Sequence, residues 1–251
     1  MIQKSVAWCL FVIATIAAPP VCAEHVLVAV AANFNLPFRE IATEFERATG
    51  HQVRVVSGAS GAFYAQIKNG APFDVFFSAD RDRPKLLEEE GLGVKDFRFT
   101  YAIGRLVLWS PNAALIKGGE TLRSKTFKRL AVANPKTAPY GVAAMQTMQN
   151  LGLWDSLKSQ LVMGESLGQT MGFIESGNAQ LGFVALSQVL DPKIKGTGSR
   201  WEVPTDAHAP ITQDVILLVK GKDNPAAKSL MEFVTGTQAK NIIARYGYLL
   251  K

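Results

Sequence analysis

Two short turns constrain this chain more than any other feature: Ala31-Ala32-Asn33-Phe34 and Ser57-Gly58-Ala59-Ser60-Gly61. Each follows a β-branched run that reads as a strand, Val26 to Val30 and Val53 to Val56. Each also opens a segment with helical spacing, Leu36 to Thr49 and Ala62 to Asn69. A strand, a tight turn of small residues and a helix start together build a concave nest of backbone N–H groups. The helix adds roughly half a positive charge there. Neither turn contains Lys, Arg, His, Asp or Glu. Donors without a countercharge suit a small oxyanion, held by dipoles rather than by ion pairs.

Residues 1–23 read as a signal peptide. Lys4 supplies a positive start, Val6 to Ala18 is uncharged and mostly apolar, and Pro19-Pro20 breaks the run before Val21-Cys22-Ala23. The apolar run is too short for a membrane span of about 20 residues. Cleavage after Ala23 would discard Cys9 and Cys22, the 2 cysteines of the chain. The mature protein would then hold no disulfide, no thiol nucleophile and no thiolate metal site. Residues Pro19-Pro20-Val21 also lack the pattern that would make Cys22 a lipid attachment point. An exported chain without disulfides needs a large core, and this one is long enough for two lobes.

The formal net charge is +6, with the basic residues scattered. The densest cluster, Arg123, Lys125, Lys128 and Arg129, contains one interleaved aromatic, Phe127. That reads as a solvated face rather than the continuous basic stripe of a nucleic-acid binder.

Strand-like runs and helical patterns alternate along the chain, the α/β signature. Asn33 and Asn35 are candidate N-caps for a helix whose apolar face is Phe38, Ile41, Ala42 and Phe45, stopped by Gly50. Asp74 to Ser78 reads as a third strand, with Asp80 capping the helix that follows. Tyr101 to Trp109 is strand-rich. The pattern then restarts: strand Leu130 to Ala133, a helix entered at Tyr140, a second entered at Leu167, and the buried strand Leu181 to Ala185. Asp214 to Val219 is strand again, and Asn224-Pro225 caps the first of two closing helices. This order predicts an α/β, two-lobed molecule, each lobe a mostly parallel sheet flanked by helices. Residues 24–103 plus 212–251 form one lobe and 104–211 the other, joined by hinge crossings near Ala102-Ile103 and Thr212-Gln213. Ligands of open α/β sheets sit beyond the carboxyl ends of strands. Asn33 and Ser60 would therefore face Tyr140 and Leu167 across a cleft.

A secreted serine hydrolase is the competing class. Gly58-Ala59-Ser60-Gly61 nearly forms a nucleophile elbow, but position 62 is Ala where the motif needs Gly. Of His25, His51 and His208, the first two stand at the mature terminus and just after a helix-ending glycine, poor places for a general base. No His/Asp/Glu spacing suggests zinc. Tyr246 and Tyr248, separated by Gly247, read as structural rather than as iron ligands. The sequence therefore points to a binding protein, not an enzyme.

At these residues the chain resembles the periplasmic molybdate-binding proteins of ABC importers, within the type II periplasmic solute-binding fold. The resemblance spans essentially the whole mature chain. Its specific pieces are Ala31-Ala-Asn-Phe34, Ile41-Ala-Thr-Glu-Phe45, Gly70-Ala-Pro-Phe-Asp-Val-Phe-Phe-Ser-Ala-Asp80, Asn134-Pro135, Leu151-Gly-Leu-Trp-Asp155 and Arg245-Tyr-Gly-Tyr248. It implies capture of molybdate, and tungstate with it, in the periplasm. It also implies delivery by a monomer to an inner-membrane ABC permease. No cofactor is implied: molybdenum enters as its oxyanion, with no side chain coordinating the metal. By position the ligand-binding residues are Asn33, Ser60, Tyr140 and Leu167. Asn33 and Ser60 also read as plain helix caps, Tyr140 as a packing residue or a hydroxyl or backbone donor, and Leu167 as a packing residue whose backbone donates. One position departs from the family: a tyrosine that donates to the anion in some members falls at Ala185. Molybdate only accepts hydrogen bonds, so its site should hold donors alone. Hydrogen phosphate would add a carboxylate acceptor, for which Asp80 is near enough in sequence. Sulfate, another tetrahedral dianion, differs mainly in size.

Overall fold

The computed structural model describes residues 23–250. The expected signal peptide, Ala23 apart, and both cysteines lie outside the described residues. The chain opens with β1 (His25–Ala31), α1 (Asn35–Thr49), β2 (Gln52–Gly58), α2 (Ser60–Lys68), β3 (Val75–Phe77) and α3 (Asp82–Glu89), and then runs along β4 (Gly93–Gly104). It continues through β5 (Leu106–Ser110), α4 (Glu120–Ser124), β6 (Leu130–Ala133), α5 (Pro139–Asn150) and α6 (Trp154–Leu157). Next come β7 (Leu161–Gly164), α7 (Leu167–Glu175), β8 (Leu181–Ala185), α8 (Leu186–Val189) and β9 (Ser199–Glu202). It returns along β10 (Ile211–Leu218) and closes with α9 (Pro225–Thr235) and α10 (Thr237–Arg245).

The strands form two sheets, ordered β2-β1-β3-β10-β4 and β7-β6-β8-β5-β9. Both are mixed rather than mostly parallel. In the first, β1 runs parallel to β2 and β3 while β10 runs antiparallel to β3 and β4. In the second, β6 runs parallel to β7 and β8 while β5 runs antiparallel to β8 and β9. The reason is the connection between sheets. β4 leads out of the first sheet and β10 leads back beside it, so the two must pair head to tail. Thr212 lies opposite Ile103 and Gln213 opposite Ala102, where the two crossings were expected. The chain end adds a third segment, with Ile103 N–H donating to Leu249 O at 2.8 Å and Leu249 N–H returning the bond at 3.0 Å.

Local chemistry explains the elements that matter for the site. Helix α1 buries Pro37, Phe38, Ile41, Ala42 and Phe45 on one face, and Gly50, at φ +75°, ends it in the left-handed conformation. β3 and β8 are buried along their whole length, as central strands covered on both faces must be. Phe34 lies within 4.5 Å of Tyr101 and 5.8 Å of Phe77, centroid to centroid, and Phe38 lies 4.7 Å from Phe77. Such pairs contribute about 0.5–1.5 kcal/mol each beyond their burial. They seat the first turn rigidly, because Asn33 directly precedes Phe34. Asp214, buried on β10, accepts from Arg98 Nη1 at 2.6 Å and from Thr100 Oγ1 at 2.7 Å, and so ties β10 to β4.

Candidate functional site

Four helical starts converge between the sheets: the 3₁₀ turn Ala32–Phe34, and the first residues of α2, α5 and α7. They enclose a chamber lined by Ala31, Ala32, Asn33, Gly58, Ala59, Ser60, Ala79, Ala138, Pro139, Tyr140 and Leu167. All four residues expected from the sequence are present. None of the lining side chains is charged. The space open to the centre of a water molecule is ≈ 10 Å³, about the room of one water molecule. A larger groove of ≈ 750 Å³ runs alongside, beneath Arg81, Arg83, Lys136, Asp80 and Asp82. It contains none of those four residues.

The chamber is closed over by direct contacts between the two units. Gly61 N–H donates to Thr137 O at 2.9 Å, and Arg83 Nη2 reaches Lys136 O at 3.3 Å. A side chain at position 61 would stand 3.0 Å from the Thr137 backbone, so glycine is what lets the two turns meet.

The donors are of two kinds. The first are the backbone N–H groups of Ser60, Tyr140 and Leu167, which stand in the first turn of a helix and have no acceptor within it. No side chain caps α2 or α5, whereas α7 is capped by Ser166 Oγ accepting from Gln169 N–H. Leu167 itself is buried, its side chain packed in the second core.

The second kind are hydroxyls whose oxygen is already engaged. Ser60 Oγ accepts from Ala79 N–H at 2.9 Å, and the Tyr140 hydroxyl accepts from Gln213 Nε2 at 3.3 Å. The Ser60 hydroxyl proton has no acceptor within hydrogen-bond distance among the described residues and is left for whatever occupies the chamber, whereas the Tyr140 hydroxyl also faces the Tyr248 hydroxyl. Ser60 is therefore not a cap: it is the first residue of α2, and its hydroxyl faces away from its own helix.

Asn33 does not cap α1 either. Its Nδ2 donates to Gln213 Oε1 at 2.8 Å and to the Tyr248 hydroxyl at 3.0 Å, and Asn35 Oδ1 is turned to Arg39 Nε at 3.2 Å. Asp80 points out of the chamber. Its carboxylate holds Arg83 Nη1, and Oδ1 accepts from Arg83 N–H at 3.0 Å and from Ser78 Oγ at 3.3 Å. The one acidic side chain close enough in sequence to receive a phosphate proton is thus committed elsewhere.

Behind the chamber lies a polar layer that sequence reading missed. Gln213 Oε1 also accepts from the Tyr101 hydroxyl at 2.9 Å. Tyr248 donates to Asn33 O at 2.8 Å, and Ser187 Oγ donates to the same carbonyl at 2.7 Å. Tyr248 was expected to be structural, and it does hold the Asn33 turn in place. Ala185 is buried at the cap of α8 and offers no side-chain donor.

Burial pushes the Tyr101 and Tyr140 phenols well above their ordinary range, and the Tyr248 phenol upward as well. All three therefore remain proton donors through the physiological range. A phenol whose folded pKa is raised stabilises the fold fully below its unfolded value of about 10, and that stability is lost as pH climbs toward the folded value. Each such group costs about 1.4 kcal/mol per pH unit above pH 10, so three together give a slope of about 4 kcal/mol per unit. Denaturant midpoints measured from pH 7 to 11.5 should stay level to about pH 10 and then drop steeply. A level profile throughout would mean that the phenols ionise in the folded state.

Two α/β units closed on an uncharged, donor-lined chamber define a solute-binding protein of the two-lobed kind. Comparison with known proteins narrows this. Residues 26–249 match the family described as bacterial extracellular solute-binding protein. The chain is 52% identical over 231 residues to a molybdate-binding protein of Azotobacter vinelandii, covering 91% of each. It is 46% identical over 230 residues to one of Rhodobacter capsulatus, covering 92% of this chain and 90% of that one. A solved periplasmic molybdate-binding protein from Azotobacter vinelandii superposes with a TM-score of 0.87 at 40% identity, over 90% of this chain and 99% of that chain. The chain belongs to the bacterial extracellular solute-binding proteins, and within them to the molybdate-binding group. It is a binding protein and not an enzyme.

Proposed function

We propose that the protein captures molybdate, and tungstate in the same site, through Asn33, Ser60, Tyr140 and Leu167, and hands it to an ABC permease of the inner membrane. One observation carries this reading. Every side chain lining the chamber is neutral, and the Ser60 hydroxyl and the first-turn N–H groups offer protons that have no acceptor among the described residues. A bare dianion can only accept hydrogen bonds, and hydrogen bonds to a charged group are worth about 1.5–3 kcal/mol each. Five such bonds, less the cost of ordering the closed form, reach the roughly 8 kcal/mol of a micromolar site. The oxyanion is cargo and not a resident cofactor, and the metal is reached only through its oxygens.

Residues 24–103 with 212–251 would move against 104–211 about the paired crossings at Ala102-Ile103 and Thr212-Gln213. The protein would work as a monomer in the periplasm, after removal of residues 1–23. The identity of the close relatives and the charge pattern of residues 1–23 support that placement.

Titration of tryptophan fluorescence with molybdate, tungstate, sulfate and phosphate tests the reading. Saturation is expected with the first two at micromolar concentration or below, and none with phosphate. Saturation by sulfate without molybdate would reassign the ligand. In the same assay Ser60→Ala should weaken molybdate binding about 10- to 150-fold, the loss of one hydrogen bond to a charged acceptor. Unchanged affinity in that variant would remove Ser60 from the site.

A further inference from the structure

Gln213 is fully buried on β10, at the crossing between the two units. Its amide has one accepting and one donating end, and the two ends touch site residues from opposite units. Oε1 accepts from Asn33 at 2.8 Å, beside the first nest, and Nε2 donates to Tyr140 on α5 at 3.3 Å. Space around it is tight: a Cβ on Gly104 would stand 2.1 Å from the Tyr140 hydroxyl oxygen and 2.5 Å from Gln213 Nε2. The amide and the phenol are therefore packed closely against the Gly104 backbone, with Asn33 hydrogen-bonded to the other end of the amide.

We propose that Gln213 is a positioning residue that sets which protons the chamber presents to its anion, an inference that rests on the oxyanion reading above. As arranged here, the Gln213 amide fills the acceptor of the Tyr140 oxygen, so Gln213 leaves the phenolic proton free to turn between the Tyr248 hydroxyl and the ligand. With both amides turned end for end, Gln213 Nε2 would donate to Asn33 Oδ1 and Oε1 would take the Tyr140 proton. Asn33 Nδ2 would then be the group released to the chamber. The two arrangements use the same heavy atoms, and no side chain needs to leave its place. Either way Gln213 consumes a proton of Asn33 or of Tyr140, and never of both. A group that only accepted at this position would consume both. The donor count of the site is thus decided one residue behind it, by an amide that has no charge of its own.

Gln213→Glu tests this, because an ionised carboxylate only accepts whereas a protonated one both accepts and donates. The titratable groups facing position 213 are Tyr101 on β4, Tyr140 on α5 and Tyr248 near the chain end, all held neutral by burial. The Asp214 carboxylate is engaged with Arg98. Molybdate and tungstate affinity of the parent should be flat between pH 6 and about 9, since no group in the layer titrates there. In Gln213→Glu, affinity should fall at least tenfold as pH rises through the titration of the new carboxyl, and should return on acidification. A loss that is the same at every pH would mean that Gln213 serves packing alone, and parent-like affinity at every pH would mean that it does not act on the site.

A double-mutant cycle with Gln213→Leu and Tyr140→Phe covers the case in which the glutamate variant does not fold. If Gln213 works through Tyr140, removing the hydroxyl should matter several-fold less in the leucine background than in the parent. Independent effects would overturn the inference. Failure of the parent itself to bind molybdate would instead overturn the oxyanion reading, so the two failures are distinguishable.

Discussion

Replacing Asn33 by Asp should reduce molybdate affinity at least about 1000-fold, an effect of roughly 4 kcal/mol. The substitution preserves shape and reverses chemistry. Asn33 is 2% exposed and gives both protons of Nδ2 to Gln213 Oε1 and Tyr248. A carboxylate there would set oxygen against oxygen at Gln213 and would take from the Tyr248 hydroxyl its Nδ2 donor. It would also put a negative charge beside the bound dianion, in a place with no cation to offset either one. Part of the cost would fall on the fold, because an unpaired buried carboxylate raises its own pKa and weakens the native state near neutrality. Calorimetric titration of a sample shown by circular dichroism to be folded separates the two effects. Affinity within tenfold of the parent would remove Asn33 from the site.

Gly141→Ala should be the most damaging change outside the lining residues. A Cβ at position 141 would stand 2.2 Å from Ala133 O and 2.8 Å from Ala133 C, both backbone atoms at the end of β6. Neither can swing aside, so the start of α5 must lift away from the sheet. Overpacking of this kind costs about 1–3 kcal/mol of stability. The same displacement carries the Tyr140 N–H, one residue earlier, off its line to the anion. An affinity loss of about 100-fold is expected, equivalent to one hydrogen bond to a charged group. Gly172→Ala on α7 is the matching control, because nothing lies within 4 Å of a Cβ there. It should leave binding intact and stabilise by about 0.5–1 kcal/mol through helix propensity. Equal behaviour of the two variants in thermal melts and titrations would contradict the account of how α5 is seated.

The turns and the central elements were legible in the sequence for a physical reason. β1, β3, β6 and β8 are buried on both faces, so their residues are almost all apolar and their runs stand out. The strands that were missed are edges. β7 and β9 flank the second sheet, and the first part of β4 flanks the first. Edge strands carry polar residues that discourage pairing with other chains, as Lys95, Asp96 and Arg98 do in β4 and Arg200 and Glu202 do in β9. Their alternation is blurred accordingly. The mixed direction of both sheets was equally hidden, since it follows from where the chain crosses between units and not from any local pattern.

The candidate site divides along the same line. Asn33, Ser60, Tyr140 and Leu167 sit at helix starts, which the sequence marks with small residues and changes of period. Gln213, Tyr101 and Ser187 carry no such mark. A glutamine within a strand reads as a solvent-facing residue, and Gln213 is buried only because segments 101–104 and 248–249 pack around it. Asn33 and Ser60 were open to reading as caps because a cap and an anion site ask for the same residues in the same place. Side-chain direction decides between the two, and direction belongs to the tertiary structure.

The central claim is that neutral dipoles, and no titrating group, hold the anion. Calorimetric titration with molybdate at neutral pH in two buffers of different ionisation enthalpy tests this directly, because the difference between the two heats counts protons exchanged on binding. The account expects one anion per chain and no net proton taken up or released. Absence of binding, or binding coupled to the transfer of about one proton, would contradict it.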